Sequence, residues 1–186
     1  MVYQHMHQDL IELCRHGDRN AQLKLYKLYY KAMYNTSLRI VKNEAEAEDL
    51  MQESFLDAFR KLDTYKGDAS FGSWLKRIVI NNSLDALKKR KINWESLDDG
   101  YKEPYLVQEE TAPEEVDQWK VEEVKKSIAQ LPDGYRTILS LYLLEGYDHD
   151  EIASILHITS STSRSQFNRA KNKLREILKE RTWQTI

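Results

Sequence analysis

Between Ser160 and Arg175 the chain reads SSTSRSQFNRAKNKLR, with five Arg or Lys residues and not one carboxylate. Hydroxyls, amides and guanidinium groups at such density are the donors and acceptors that read base edges, while lysines meet phosphates. Placed on a helix at about 100° per residue, Phe167, Ala170 and Leu174 share one face, which Ile177 and Leu178 continue toward a core. Ser165, Asn168, Arg169 and Asn172 fall opposite, with Arg164 and Gln166 at the flanks. Lys171, Lys173 and Arg175 are the phosphate candidates, and Ser161 or Thr162 is expected to cap the helix start. A carboxylate on this face would repel a polyanion, which accounts for the missing acids.

A basic amphipathic helix with a merely solvated polar face would show the same composition, so its neighbour must decide. The preceding HDEIASILHIT supplies Ile152, Ala153, Leu156 and Ile158 as the apolar side of a supporting helix and turn. Two short helices so tightly joined, the second basic, form a helix-turn-helix pattern.

The rest of the chain must position this pair. Apolar residues recur at three- and four-residue steps in Leu23, Tyr26, Tyr30, Met33 and Leu38, between the Gly17-Asp18 break and Asn43. Ala47, Leu50, Met51, Phe55, Ala58, Phe59 and Leu62 repeat the pattern, and Phe71, Trp74, Leu75, Ile78 and Val79 resume it after the break DTYKGDAS. With a short leading helix near Gln8–His16, these predict a helical bundle over residues 1–91. Residues 92–113 lose the periodicity, hold two of the three prolines and read as an acidic linker, too long for a loop inside one compact domain. Residues 114–186 predict a second helical domain, with helices at 115–129, 131–144, 148–156 and 160–180. With only 6 Gly and 3 Pro, a turn-rich all-β fold is not expected, and the expected class is all-α in two small domains.

Charge follows the same division. Residues 1–94 carry 16 basic against 12 acidic side chains, residues 95–117 carry one against nine, and residues 118–186 carry 11 against nine. A net charge of −2 therefore hides two basic ends, which suits a polyanion partner. A single cysteine, Cys14, allows no internal disulfide and fits a reducing cytoplasm. No apolar run approaches the ~18 residues of a membrane span, and MVYQHMHQDL lacks the order of a signal peptide, so a soluble, cytoplasmic protein without membrane insertion is expected.

The segment LPDGYRTILSLYLLEGYDHDEIASILHITSSTSRSQFNRAKNKLREIL resembles region 4 of extracytoplasmic-function sigma factors, small bacterial promoter-recognition subunits of RNA polymerase. The matching positions are Leu131-Pro132, Arg136, Glu145-Gly146, Glu151-Ile152-Ala153, Thr162, Arg164-Ser165, Arg169-Ala170 and Leu174. EAEDLMQESFLDAFRKLDTY and GDASFGSWLKRIVINNSLDALKKRK are similar to region 2 of the same family. The chain departs from the pattern at Ser163, where an apolar residue is usual, at Ser161, often Gly, and at His149, commonly aromatic.

The resemblance implies that region 2 binds the core polymerase clamp coiled coil and melts the −10 element, while region 4 binds the −35 element and the polymerase flap. Asp49, Leu50, Gln52 and Glu53 then look like the clamp-binding set, an acidic and amide-bearing face for a basic helix. Arg164, Ser165, Gln166, Asn168, Arg169, Lys171, Asn172 and Lys173 take the −35 role. Melting needs a surface that rewards unpaired bases. Tyr65, Lys66, Asp68, Ser70, Phe71 and Trp74 surround a loop able to shape one, with Gly67 permitting a tight turn. Tyr65 and the polar loop residues are its better candidates, since Phe71 and Trp74 also fit a core. Asn81 and Asn82 could read a base or face water. Lys76, Arg77, Lys88, Lys89 and Arg90 would meet phosphates, although basic residues at a helix end also complement its dipole. By the same resemblance the acidic linker would occupy the RNA exit channel as a polyanion mimic. A monomer within holoenzyme is implied, and an anti-sigma factor is a partner the family allows.

Catalysis finds no support, with no phosphate-cradling Gly loop, His-Glu-x-x-His helix or nucleophile motif. His5, His7, Cys14 and His16 lack a recognised ligand spacing, so neither a metal nor any other cofactor is expected. Two other functions remain open on residues alone: an operator-binding helix-turn-helix regulator, and a helical adaptor whose basic helix touches protein.

Overall fold

The computed structural model describes residues 7–90 and 118–183, and every regular element among them is helical. The chain divides into two compact units, one within residues 1–91 and one within 92–186. The acidic stretch 92–113, with Glu109, Glu110, Glu114, Glu115, Lys91 and His5, lies outside the described residues.

In the first unit α1 (Gln8–Arg15), α2 (Arg19–Val41), α3 (Glu44–Arg60) and α4 (Phe71–Lys89) pack together, α2 touching the other three. The starts of α2, α3 and α4 are written in side chains that satisfy the orphan N–H groups of a first turn. The Asp18 carboxylate accepts from Asn20 and Ala21 N–H at 2.8 and 2.9 Å, Asn43 from Glu46 N–H at 2.9 Å, and Ser70 from Ser73 N–H at 3.2 Å. Gly17, at φ +79°, takes the left-handed conformation that ends α1. The core holds Leu25, Met33, Met51, Phe55, Leu75 and Val79.

The stripe expected of α2 is displaced. Leu23 is half exposed, Tyr26, Tyr30 and Leu38 are only partly buried, and the inward face runs through Ala21, Leu25, Met33, Thr36, Ser37 and Ile40. Two of those residues are polar. Ser37 Oγ accepts from Ser83 Oγ at 2.9 Å, so α2 and α4 approach through a satisfied hydroxyl pair that hydrophobic periodicity does not register.

The second unit comprises α5 (Gln118–Ile128), α6 (Asp133–Leu139), α7 (His149–Leu156) and α8 (Ser160–Trp183). The single helix expected over 131–144 is not observed: α6 stops at Leu139 and Ser140–Leu144 widens into a π-helical turn, with Glu145 N–H bonded to Ser140 O at 3.0 Å. Arg136 is buried at the head of this element, holding Leu131 O at 3.1 Å and Asp133 at 2.5 Å. A capping box of Asp148 and Glu151 starts α7, and His157, at φ +59°, ends it. The cap of α8 is Thr159, whose Oγ1 accepts from Thr162 N–H at 3.0 Å, rather than Ser161 or Thr162. The connection between α7 and α8 is the three residues 157–159, as the sequence suggested.

Candidate nucleic-acid interface

In α8, Phe167, Ala170 and Leu174 are buried as expected, and Ile152, Ala153, Ile155 and Leu156 of α7 are buried in the same unit. Arg164 and Asn168 are exposed one turn apart, flanked by half-buried Ser165, Arg169 and Asn172. An exposed guanidinium and amide at this spacing can reach adjacent base edges. Gln166 does not belong with them. Its side chain is 6% exposed and its Oε1 is buried without a hydrogen bond, because Ser163, Phe167 and Ala170 rotate its position toward the core. Lys171 lies over the Phe167 ring at 5.0 Å, Lys173 meets Glu176 at 2.9 Å, and Arg175 donates to Asn172 Oδ1 at 3.3 Å.

The two departures at His149 and Ser163 touch each other. His149 Nδ1 lies 3.0 Å from the fully buried Ser163 Oγ, and its ring stacks on Tyr142 at 4.8 Å and meets Phe167 edge-on at 5.4 Å. Burial, reinforced by the nearby Arg164 guanidinium, holds this imidazole below the ordinary histidine range, against the pull of Asp148 and Asp150. Ser160 Oγ also bonds the Asp150 carboxylate, joining the starts of α7 and α8.

In the first unit the segment from Tyr65 to Ser70 forms a loop between the 3-10 turn Leu62–Thr64 and α4. Tyr65 was the favoured stacking platform, yet it is 6% exposed and its hydroxyl donates to Ala69 O at 2.8 Å. Its ring packs 5.7 Å from Phe71 and 5.3 Å from Trp74, and Phe71 is likewise buried. Both rings form the floor beneath the loop. Trp74 is half-buried, and Lys66 and Asp68 stand exposed at the tip, where Gly67 adopts φ +81°. Burial raises the Tyr65 phenol, opposed by the charge of Arg15.

Along α4, Lys76 and Arg77 are half-buried and Asn81 is exposed. Asn82 Nδ2 donates to Ser54 Oγ at 3.0 Å, which commits it to the packing of α3 on α4. Lys89 is exposed and Lys88 pairs with Asp85 at 3.4 Å. Arg90 is engaged with the Glu46 carboxylate and donates to Val41 O at 3.2 Å, so it closes the bundle and is poorly placed for a phosphate.

On α3, Asp49, Gln52 and Glu53 share an exposed face, with Gln52 Nε2 donating to Glu48 Oε1 at 3.3 Å. Leu50, expected in the same set, points away from this face and is buried. Leu56, 56% exposed and one turn beyond Gln52 and Glu53, is the apolar side chain on that face. The sequence carried the signal: a leucine at i+3 and i+4 from two polar residues of one helix face.

Cys14 is buried, and burial with the neighbouring Asp18 pushes its thiol up to about 11. Among the described residues no three His, Cys, Asp or Glu side chains gather as metal ligands, and no helix is long and apolar enough to cross a membrane.

The family descriptions Sigma-70 region 2 and Sigma-70, region 4 match residues 25–92 and 122–174. The RNA polymerase sigma-H factor of Pseudomonas aeruginosa is 29% identical, over 96% of each chain. The ECF RNA polymerase sigma factor SigW of Bacillus subtilis is 27% identical, over 91% of this chain and 95% of its own. Among solved structures, the sigma factor RpoE of Bartonella quintana, in complex with the anti-sigma factor NepR, has the same fold. Its TM-score is 0.57 at 23% identity, covering 84% of this chain and 95% of that one.

Proposed function

Because the chain belongs to the extracytoplasmic-function group of the sigma-70 family, we propose that it directs bacterial RNA polymerase core to specific promoters. It is an RNA polymerase sigma factor, and its role is recognition and melting; bond making stays with the polymerase, in the cytoplasm.

The unit within residues 1–91 binds the polymerase clamp through Asp49, Gln52, Glu53 and Leu56, and opens the −10 element through the Lys66–Asp68 tip with Trp74 beside it. Asn81, Lys76, Arg77 and Lys89 guide the strand along α4. The unit that includes α5 to α8 reads the −35 element in the major groove through Arg164 and Asn168, with Ser165, Arg169, Asn172 and the lysines of α8 completing the contact. The polymerase flap and an anti-sigma factor complete the set of partners; RpoE of Bartonella quintana is itself seen with an anti-sigma factor.

One observation carries this reading. A carboxylate-free polar face on a helix-turn-helix and a polar loop over an aromatic floor occur in one chain. An operator-binding regulator, like an adaptor whose basic helix touches protein, has use only for the first.

Binding of labelled promoter-length duplex tests it. The free chain is expected to bind weakly and without preference, and to gain sequence-specific binding when core polymerase is added. Tight, specific binding by the chain alone would instead identify an operator-binding regulator, and failure to bind core polymerase would contradict the proposal.

A further inference from the structure

The loop from Tyr65 to Ser70 is held at its entry by a residue 50 positions earlier. Arg15, the last residue of α1, donates from Nη2 to the Tyr65 carbonyl at 2.7 Å. Its Nη1 donates to Glu12 Oε1 at 2.6 Å, and Glu12 Oε1 also accepts from Gln8 Nε2 at 3.0 Å. One planar guanidinium thus ties a carboxylate on its own helix to the backbone of the loop, a geometry a single ammonium cannot copy.

The remaining anchors lie further along. The Tyr65 hydroxyl donates to Ala69 O at 2.8 Å, and Ser70 caps α4 at Ser73 N–H. Tyr29 of α2 lies 5.5 Å from Phe71, so close to α4 that a Cβ on Gly72 would come within 2.9 Å of its ring. Entry, floor and exit are fixed, while Lys66 and Asp68 between them stand exposed. A loop so arranged presents its tip in one shape before anything binds, which spares the ordering cost when it does. Arg15 itself is 26% exposed, and α1 precedes the residues matched to region 2.

We infer that Arg15 is a positioning residue for promoter opening: by pinning the Tyr65 carbonyl it sets the Lys66–Asp68 tip in the shape that holds an unpaired base. This rests on the function proposed above.

The test uses the full chain with bacterial core polymerase and a promoter it selects. Opening is followed by 2-aminopurine fluorescence within the −10 element, on duplex and on a pre-melted bubble whose −10 bases are varied one at a time. Arg15→Ala is expected to lower opening of the duplex by about tenfold or more and to flatten base preference on the bubble. Its affinity for core polymerase should stay within about twofold, because the α3 face is untouched. Arg15→Lys should recover part of the base preference, since an ammonium can reach the carbonyl but not Glu12 as well. Should Arg15→Ala fail to fold, Glu12→Gln carries the test, with a smaller loss of opening in the same direction.

Wild-type opening and base preference in the variants would overturn the inference, as would a loss of core affinity matching the loss of opening. If the wild-type chain itself opens no promoter with core polymerase, the proposed function fails instead, and the two failures are distinct.

Discussion

His149 donates to or accepts from Ser163 at the centre of the helix-turn-helix, so each makes the other tolerable. A serine hydroxyl buried without a partner would destabilise the unit, and an imidazole stacked on Tyr142 and edge-on to Phe167 stays there at lowest cost when neutral. The pairing has a pH consequence. Its pKa in the folded unit is depressed by burial and by Arg164, so the unfolded chain takes up the proton first. Stability contributed by neutral His149 is complete above the unfolded value of 6.5 and is lost as pH falls below it, through the lower folded value. Thermal unfolding of the second unit between pH 8 and pH 5 should show a midpoint falling with pH, and the His149→Phe variant a shallower fall. Equal slopes would contradict this. At the residue scale the sequence showed which side chains could do chemistry but not which were free to do it. Gln166, Tyr65, Leu50 and Arg90 have the right types in the right places, and burial or an ion pair takes each out of play.

Elements were more legible than single residues, because apolar spacing is local, although the cap expected at Ser161 or Thr162 is Thr159. Asp18, Asn43, Ser70 and Asp148 each stand before an apolar-periodic run and each caps a helix. The π-helical turn Ser140–Leu144 was not legible, since no residue type specifies it; within it Leu143 and Leu144 are exposed while the Tyr142 ring packs on His149 and Phe167. The face of α2 was misread for a related reason. It packs on three neighbours and uses Ser37 and Thr36, so apolar spacing alone misplaces its stripe. The outward face of α3 yields a prediction at this scale. Leu56 makes no contribution to the bundle core yet is an apolar side chain among Gln52 and Glu53, as an interface anchor would be. Leu56→Ala should weaken binding to core polymerase by about 1–2 kcal/mol, the loss of most of one buried leucine contact, while helicity and unfolding temperature are unchanged. Fluorescence titration against core polymerase measures it, and an unaltered affinity would remove Leu56 from the interface.

For the whole molecule, the division of charge along the chain was readable from composition, and so was the all-α class. Both follow from one-dimensional regularities: runs of one sign, and apolar residues at helical spacing. The contact between Arg15 and the Tyr65 carbonyl spans 50 positions and involves a backbone atom, so no pattern in the sequence marks it. What the two units share is a need for a third party. On the function proposed above, the exposed tip over Tyr65 and Phe71 and the Arg164 and Asn168 face act only when a polymerase brings them to a promoter. Reconstituted transcription from a library of genomic fragments, with bacterial core polymerase present or withheld, measures that dependence directly. The account predicts RNA from a restricted set of start sites only when chain and core are combined. RNA with no start-site selection on any template, or selection unchanged when the chain is omitted, would contradict it.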